Sequence, residues 1–72
     1  MNDGTPKDAQ LLRAARLERG MSVREVARAA KISEDSVRGA ERRGVRNVRV
    51  SRVARLCETL GVDIDSLAIA VR

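Results

Sequence analysis

Phenylalanine, tryptophan, tyrosine and histidine are all missing from this 72-residue chain, and cysteine and proline occur once each. Each absence excludes something. Without aromatic rings the core must be built from Leu, Val, Ile, Met and Ala, which bury less area per side chain. A partner subunit would help such a core. One cysteine makes no intrachain disulfide, which fits a reducing compartment. With no histidine and one thiol, no imidazole or thiolate metal site can be assembled. Cys57 likewise has no imidazole to activate it, so a core thiol is the expectation. The longest uninterrupted apolar run, Leu67 to Val71, is too short for a membrane span or a signal-peptide core. No phosphate loop, carboxylate dyad or metal cluster stands in the sequence, so neither catalysis nor a cofactor is expected. What is present is 43% apolar and 35% charged, a globular balance for a single domain near the lower size limit. The expectation is a small basic domain working in the cytoplasm, with no membrane or small-molecule partner.

The charge is uneven. The net value is +5, and thirteen of the fifteen basic residues are Arg. Residues 38–55 hold Arg38, Arg42, Arg43, Arg46, Arg49, Arg52 and Arg55 against Glu41 alone. That stretch carries +6, while residues 1–37 carry +1 and residues 56–72 carry −2. A polyanion met through one stretch is the reading this favours. Guanidinium also suits bidentate contacts to phosphate and guanine. The plainer alternative for the charge alone is a solvated face.

Periodicity and capping residues divide the chain into five short helices. Residues 1–5 read as a loose tail and residues 6–72 as one domain. Thr5 as N-cap and Pro6 at the first helical position open helix 1, with Asp8 in its first turn. It runs to about Arg19 and stops at Gly20, with Ala14 and Leu17 widening its apolar side. Ser22 and Glu25 form a capping box for helix 2. Val23, Val26, Ala27 and Ala30 make its apolar back, and Arg24, Arg28 and Lys31 its basic front. Ser33 caps helix 3, and Glu34 and Asp35 suit its dipole. Val37, Ala40 and Glu41 lie on one side, and Asp35, Arg38, Gly39 and Arg42 on the other. A basic loop over residues 44–49 leads to helix 4, whose expected apolar face is Val50, Val53, Ala54, Cys57 and Leu60. Gly61 ends it, and Asp63 caps a last helix bearing Ile64, Leu67, Ala68 and Val71.

Two short helices about three residues apart, one with a basic front and the next exposing arginine, have the layout of a helix-turn-helix. Close crossing requires small side chains, which Ala27, Ala30, Val37 and Ala40 supply. The motif Leu12-Arg13-x-x-Arg16-x-x-Arg19-Gly20-Met21-Ser22 resembles the phage Cro/repressor (Xre-like) helix-turn-helix family. So do Val26-Ala27, Ile32-Ser33 and Val37-x-x-Ala40-Glu41-Arg42. Leu56-x-x-x-Leu60-Gly61-Val62-x-Ile64-x-x-Leu67 is similar to the family's last two helices. The likeness spans roughly residues 10–68.

The resemblance implies an all-α, five-helix Cro/repressor-type domain with helix 3 as the recognition helix. Ser33, Glu34, Asp35, Arg38, Gly39 and Arg42 then hold its DNA-facing positions. Glu34 and Asp35 keep the plainer reading of dipole stabilisation. Arg24, Arg28, Arg43, Arg46, Asn47 and Arg49 are the expected phosphate contacts. Arg16 and Glu41 match the family's structural ion pair. Three departures stand out. Val23 replaces the usual Gln, Lys31 replaces the usual turn Gly, and the segment Glu41-Arg42-Arg43-Gly44-Val45-Arg46-Asn47-Val48 is one residue longer and lacks its Pro. The implied function is sequence-specific binding of double-stranded DNA by a transcriptional regulator. A repressor is the form favoured, a bacterial or phage-encoded homodimer on a palindromic operator, joined through Ile64, Leu67, Ala68 and Val71. A protein-interaction module or antitoxin on the same scaffold is the alternative, resting on Val23, Lys31, Glu34 and Asp35.

Overall fold

The computed structural model describes residues 4–71, and their side chains as far as Leu67. Five helices follow in order: α1 (Lys7–Glu18), α2 (Val23–Ala30), α3 (Glu34–Arg43), α4 (Val50–Leu60) and α5 (Ile64–Val71). No strand occurs among the described residues.

Three of the helices end alike. After α1 the chain turns through Gly20 at φ 67°, and the Met21 N–H donates back to the Arg16 carbonyl at 3.1 Å. After α4, Gly61 takes φ 67° and Val62 N–H donates to Cys57 O at 2.9 Å. After α2 the same closure is made, Ile32 N–H to Ala27 O at 3.0 Å, but the left-handed position holds Lys31 at φ 58°. Glycine meets that conformation without steric cost, whereas an L side chain there is strained by about 1–2 kcal/mol. The apolar follower after each stop, Met21, Ile32 or Val62, packs against the core.

The core is small and aliphatic. Leu12 of α1, Val26 and Ala30 of α2, Val37 and Ala40 of α3, Leu56, Cys57 and Leu60 of α4, and Leu67 of α5 are all nearly inaccessible. α1 packs on α3 and α5, and α2 packs on α3 and α4. Ala27, Ala30, Val37 and Ala40 are buried where α2 meets α3, so the two helices approach closely. Val45 and Val48 fill in from the loop between α3 and α4.

Several expectations shift. The N-cap of α1 is Pro6, not Thr5, because Pro6 has an extended ψ of 151° and no side chain caps the helix. Thr5 instead accepts a hydrogen bond through its carbonyl from Gln10 Nε2 at 2.7 Å. Ala14 and Leu17 face outward, Leu17 being 51% exposed. Val50 and Ala54 are exposed too, and Leu56 takes the place expected of them. The buried stripe of α4 is Val53, Leu56, Cys57 and Leu60, a 3–4–7 spacing, and the first turn of the helix overhangs the core.

The expected dimer surface also changes. Leu67 is 1% exposed and packs in its own chain's core, so it has no area left for a partner. Ile64 is 42% exposed. The side chains of Ala68 and Val71 lie outside the described residues, as do residues 1–3 of the expected tail.

Candidate nucleic-acid interface

α2 and α3 are placed by their caps and by two polar anchors. Ser22 Oγ accepts from Glu25 N–H at 3.1 Å, and Glu25 Oε1 accepts from Ser22 N–H at 2.8 Å, closing a full capping box. Those bonds hold the Glu25 carboxyl below its ordinary range, the backbone N–H of Ser22 contributing most. Ser33 Oγ accepts from Ser36 N–H at 3.1 Å and so starts α3.

The first anchor ties α1 to α3. Arg16 Nε and Nη2 donate to Glu41 Oε2 and Oε1 at 2.7 and 3.0 Å, a bidentate fork. Arg16 Nη1 also donates to the Met21 carbonyl at 2.9 Å, so one guanidinium braces α1, α3 and the turn before α2. The pair is nearly closed to water, with side-chain exposures of 12% and 10%. The bonds to Glu41 push the Arg16 pKa upward against the opposing effect of burial.

The second anchor was not legible as such in the sequence. Asp8 is 2% exposed, and its Oδ2 accepts from the Val45 N–H at 2.7 Å. A first-turn acid reads naturally as a dipole residue, but here it tethers the loop after α3 to α1. Gly44, at φ 83°, lies so close that a Cβ would overlap the Asp8 carboxylate. The loop therefore turns away from α3 over a buried carboxylate, which fixes where Arg46, Asn47 and Arg49 begin.

The charged rim differs from these anchors. Arg24, Arg28, Arg38, Arg42, Arg43, Arg46, Asn47 and Arg49 are exposed, as are Ser33 and Asp35, and Gly39 is half-buried. Arg38 alone of these arginines has a carboxylate in ion-pair range among the described residues. It meets Glu34 at 3.1 Å and Asp35 at 3.6 Å along its own helix. A cleft of about 650 Å³ between α3 and the loop brings together Asp35, Gly39, Arg43, Asn47 and Arg49. The same cleft adds Ser36 and Arg52, neither of which is among the expected base or phosphate contacts. Arg24, Arg28, Arg38, Arg42 and Arg46 do not line it. At Gly39 a Cβ would come within 2.8 Å of Arg43 Nη2, so the missing side chain lets that guanidinium fold back over α3. Cys57 is buried, and burial, helped by the nearby Asp63 charge, pushes its thiol pKa up. A protonated core thiol is no nucleophile at neutral pH. Among the described residues no His/Cys/Asp/Glu group is arranged to hold a metal, and no helix is long and apolar enough to cross a membrane.

A short helix capped by serine is thus held rigidly by its neighbours while its outward face and following loop carry exposed arginines. The family model described as a helix-turn-helix domain matches residues 9–68. The chain belongs to the Cro/repressor-type helix-turn-helix family of DNA-binding transcriptional regulators. Within that family the restriction-modification controller protein C.AhdI from Aeromonas hydrophila is 31% identical, with a TM-score of 0.74 over 85% of this chain and 91% of its own. The clp gene regulator ClgR from C. glutamicum is 27% identical, with a TM-score of 0.73 over 92% of this chain and 84% of its own. A mutant of the restriction-modification controller protein C.Esp1396I superposes at a TM-score of 0.76 over 93% of this chain and 86% of its own. Its 21% identity speaks for the fold alone. No curated protein sequence matches this chain significantly. In helix-turn-helix terms α2 and α3 are the two helices of the motif. The family is one of regulators, not enzymes.

Proposed function

We propose that the chain is a transcriptional repressor that binds a palindromic operator as a homodimer in the cytoplasm, residues 6–72 acting as one domain. The observation that carries this is the separation of charges. Arg16 is locked into the fold by Glu41, whereas Arg42, Arg43, Arg46 and Arg49 stand exposed along α3 and its following loop with no carboxylate in ion-pair range among the described residues. Exposed, concentrated and unneutralised arginine is the electrostatic footprint of a nucleic-acid surface.

In this mechanism α3 enters the major groove, and two copies reach half-sites one helical turn apart. Arg38 and Arg42 read base edges, together with Ser33, Asp35 and Gly39. Arg24, Arg28, Arg43, Arg46, Asn47 and Arg49 hold phosphates. Arg38 must exchange its contacts with Glu34 and Asp35 for a base. Both contacts are solvent-exposed, so the exchange costs little. Repression follows from occupancy of the site. Ile64, exposed at the start of α5, is the described residue that supports a dimer contact there. ClgR, a clp gene regulator, and C.AhdI, a restriction-modification controller protein, support a regulatory role.

One observation favours a second function, a protein-interaction module. The acidic start of α3 neutralises Arg38 within its own helix and repels phosphate. Selection of bound duplexes from a random-sequence library with the purified chain separates the two. Enrichment of a palindromic site supports the repressor, and no enrichment over input supports the interaction module.

A further inference from the structure

A second basic cleft lies on the other side of the α3–α4 junction. It has a volume of about 490 Å³ and is lined by Lys31, Arg49, Arg52 and Arg55, with Ser33, Ser36 and Ser51 among the remaining residues. Four cations and no acid line it. Ser36, Arg49 and Arg52 line the first cleft too, so the two run into each other past the start of α4.

Among the described residues no carboxylate pairs with any of these four cations. Arg49, Arg52 and Arg55 follow one another at i, i+3 and i+6 on one side of α4, and like charges at that spacing repel. Arg49 is the N-cap of α4 and supplies no side-chain acceptor. The first turn has no acid either, although the positive end of the helix dipole favours one. The fourth cation, Lys31, occupies the strained left-handed position after α2 that glycine would fill without cost. Arg55 Nη1 reaches the Lys31 carbonyl at 3.5 Å, which links α4 to the turn after α2. Four cations from three parts of the chain thus converge around a helix end that itself favours an anion.

We infer that this cleft holds backbone phosphates of the DNA flanking the segment that α3 reads, with Lys31, Arg52 and Arg55 as contact residues and Arg49 joining it to the loop track. The inference rests on the DNA-binding function proposed above and extends the footprint from α3 onto the first two turns of α4. The contacts of Lys31, Arg52 and Arg55 are phosphate-selective rather than sequence-selective, since each is a charge outside the base-reading set, to which Ser33 at the edge of the cleft belongs.

The test is the slope of log affinity against log salt on the selected duplex and on a scrambled one, for the full chain and for Arg52→Ala, Arg52→Lys and Lys31→Gly. Arg52→Ala should flatten the slope by about 0.9 per bound subunit on both duplexes, the contribution of one phosphate contact in each copy, and leave the ratio between duplexes unchanged. Arg52→Lys should restore the slope, because the charge is kept. Lys31→Gly should flatten the slope similarly while raising the melting midpoint by relieving the left-handed strain, so lost binding cannot be ascribed to lost folding. Wild-type slopes in both Arg52→Ala and Lys31→Gly would overturn the cleft while leaving binding through α3 intact. Flattened slopes in a chain that prefers no sequence would support the cleft and refute reading by α3. A wild-type chain that binds neither duplex would overturn both.

Discussion

Two parts of this molecule use arginine in opposite ways. On the α1 side, Arg16 makes three hydrogen bonds, and the neighbouring acid Asp8 accepts from a buried backbone amide. No buried side-chain polar atom among the described residues lacks a partner. On the α3–α4 side, Arg42, Arg43, Arg46, Arg49 and Arg52 are exposed and none has a carboxylate in range among the described residues. The same side chain is a structural brace where it is neutralised and dried and, in the function proposed above, a site for an external anion where it is neither. Composition cannot distinguish the two. Position relative to the core can.

The largest effect on that contrast should come from the brace. Glu41→Ala leaves the Arg16 guanidinium nearly buried without its partner, a change that costs about 3–5 kcal/mol at buried pairs. For a domain of this size that approaches the whole stability. Thermal denaturation should show a collapsed midpoint, and a shift of a few degrees would mean that water replaces Glu41 freely. Next comes the tether. Asp8→Ala strands the Val45 N–H, a loss of about 1–3 kcal/mol. The same change should release the loop bearing Arg46 and Asn47, read as faster amide exchange at Val45.

Effects on the rim should appear in binding and hardly in folding. Arg42→Ala should cost about 1–3 kcal/mol on the selected duplex and relax preference at one or two base pairs per half-site. Arg46→Ala should weaken selected and scrambled duplexes alike and flatten the salt slope. Equal behaviour of the two variants on both duplexes would remove α3 as the reading element.

The smallest effect is the acid limb of the capping box. Glu25 titrates below its ordinary value, so its stabilising contribution is complete above the ordinary carboxylate range and is lost as pH falls through the lowered value. Melting midpoints of wild type and Glu25→Gln should therefore differ at neutral pH and converge in strong acid.

Much of the fold was legible because its signals are local. Ser22 with Glu25, Ser33, Gly20 and Gly61 mark helix ends through bonds that span a few residues. The small residues between α2 and α3 were likewise readable from helical spacing. What escaped depends on distant parts of the chain. Asp8 meets Val45 across 37 residues, and nothing near Asp8 announces that. Val50 continues the apolar stripe in sequence but overhangs the core in space. Leu67 is apolar and near the end, and only the packing of α1 against α5 shows that it is already covered. The rim was half legible. The run of arginines pointed to residues 38–55, and the 49–52–55 spacing was available, but the convergence with Lys31 required the fold.

The division between braced and free arginine is tested most directly by the salt dependence of binding to the selected duplex. Each phosphate contact contributes about 0.9 to the slope of log affinity against log salt. With the rim residues engaged on phosphate, the slope should be steeper than about −5, and sequence preference should persist as salt rises. A slope near zero, or binding that loses all preference between duplexes at moderate salt, would contradict the assignment of these arginines to DNA.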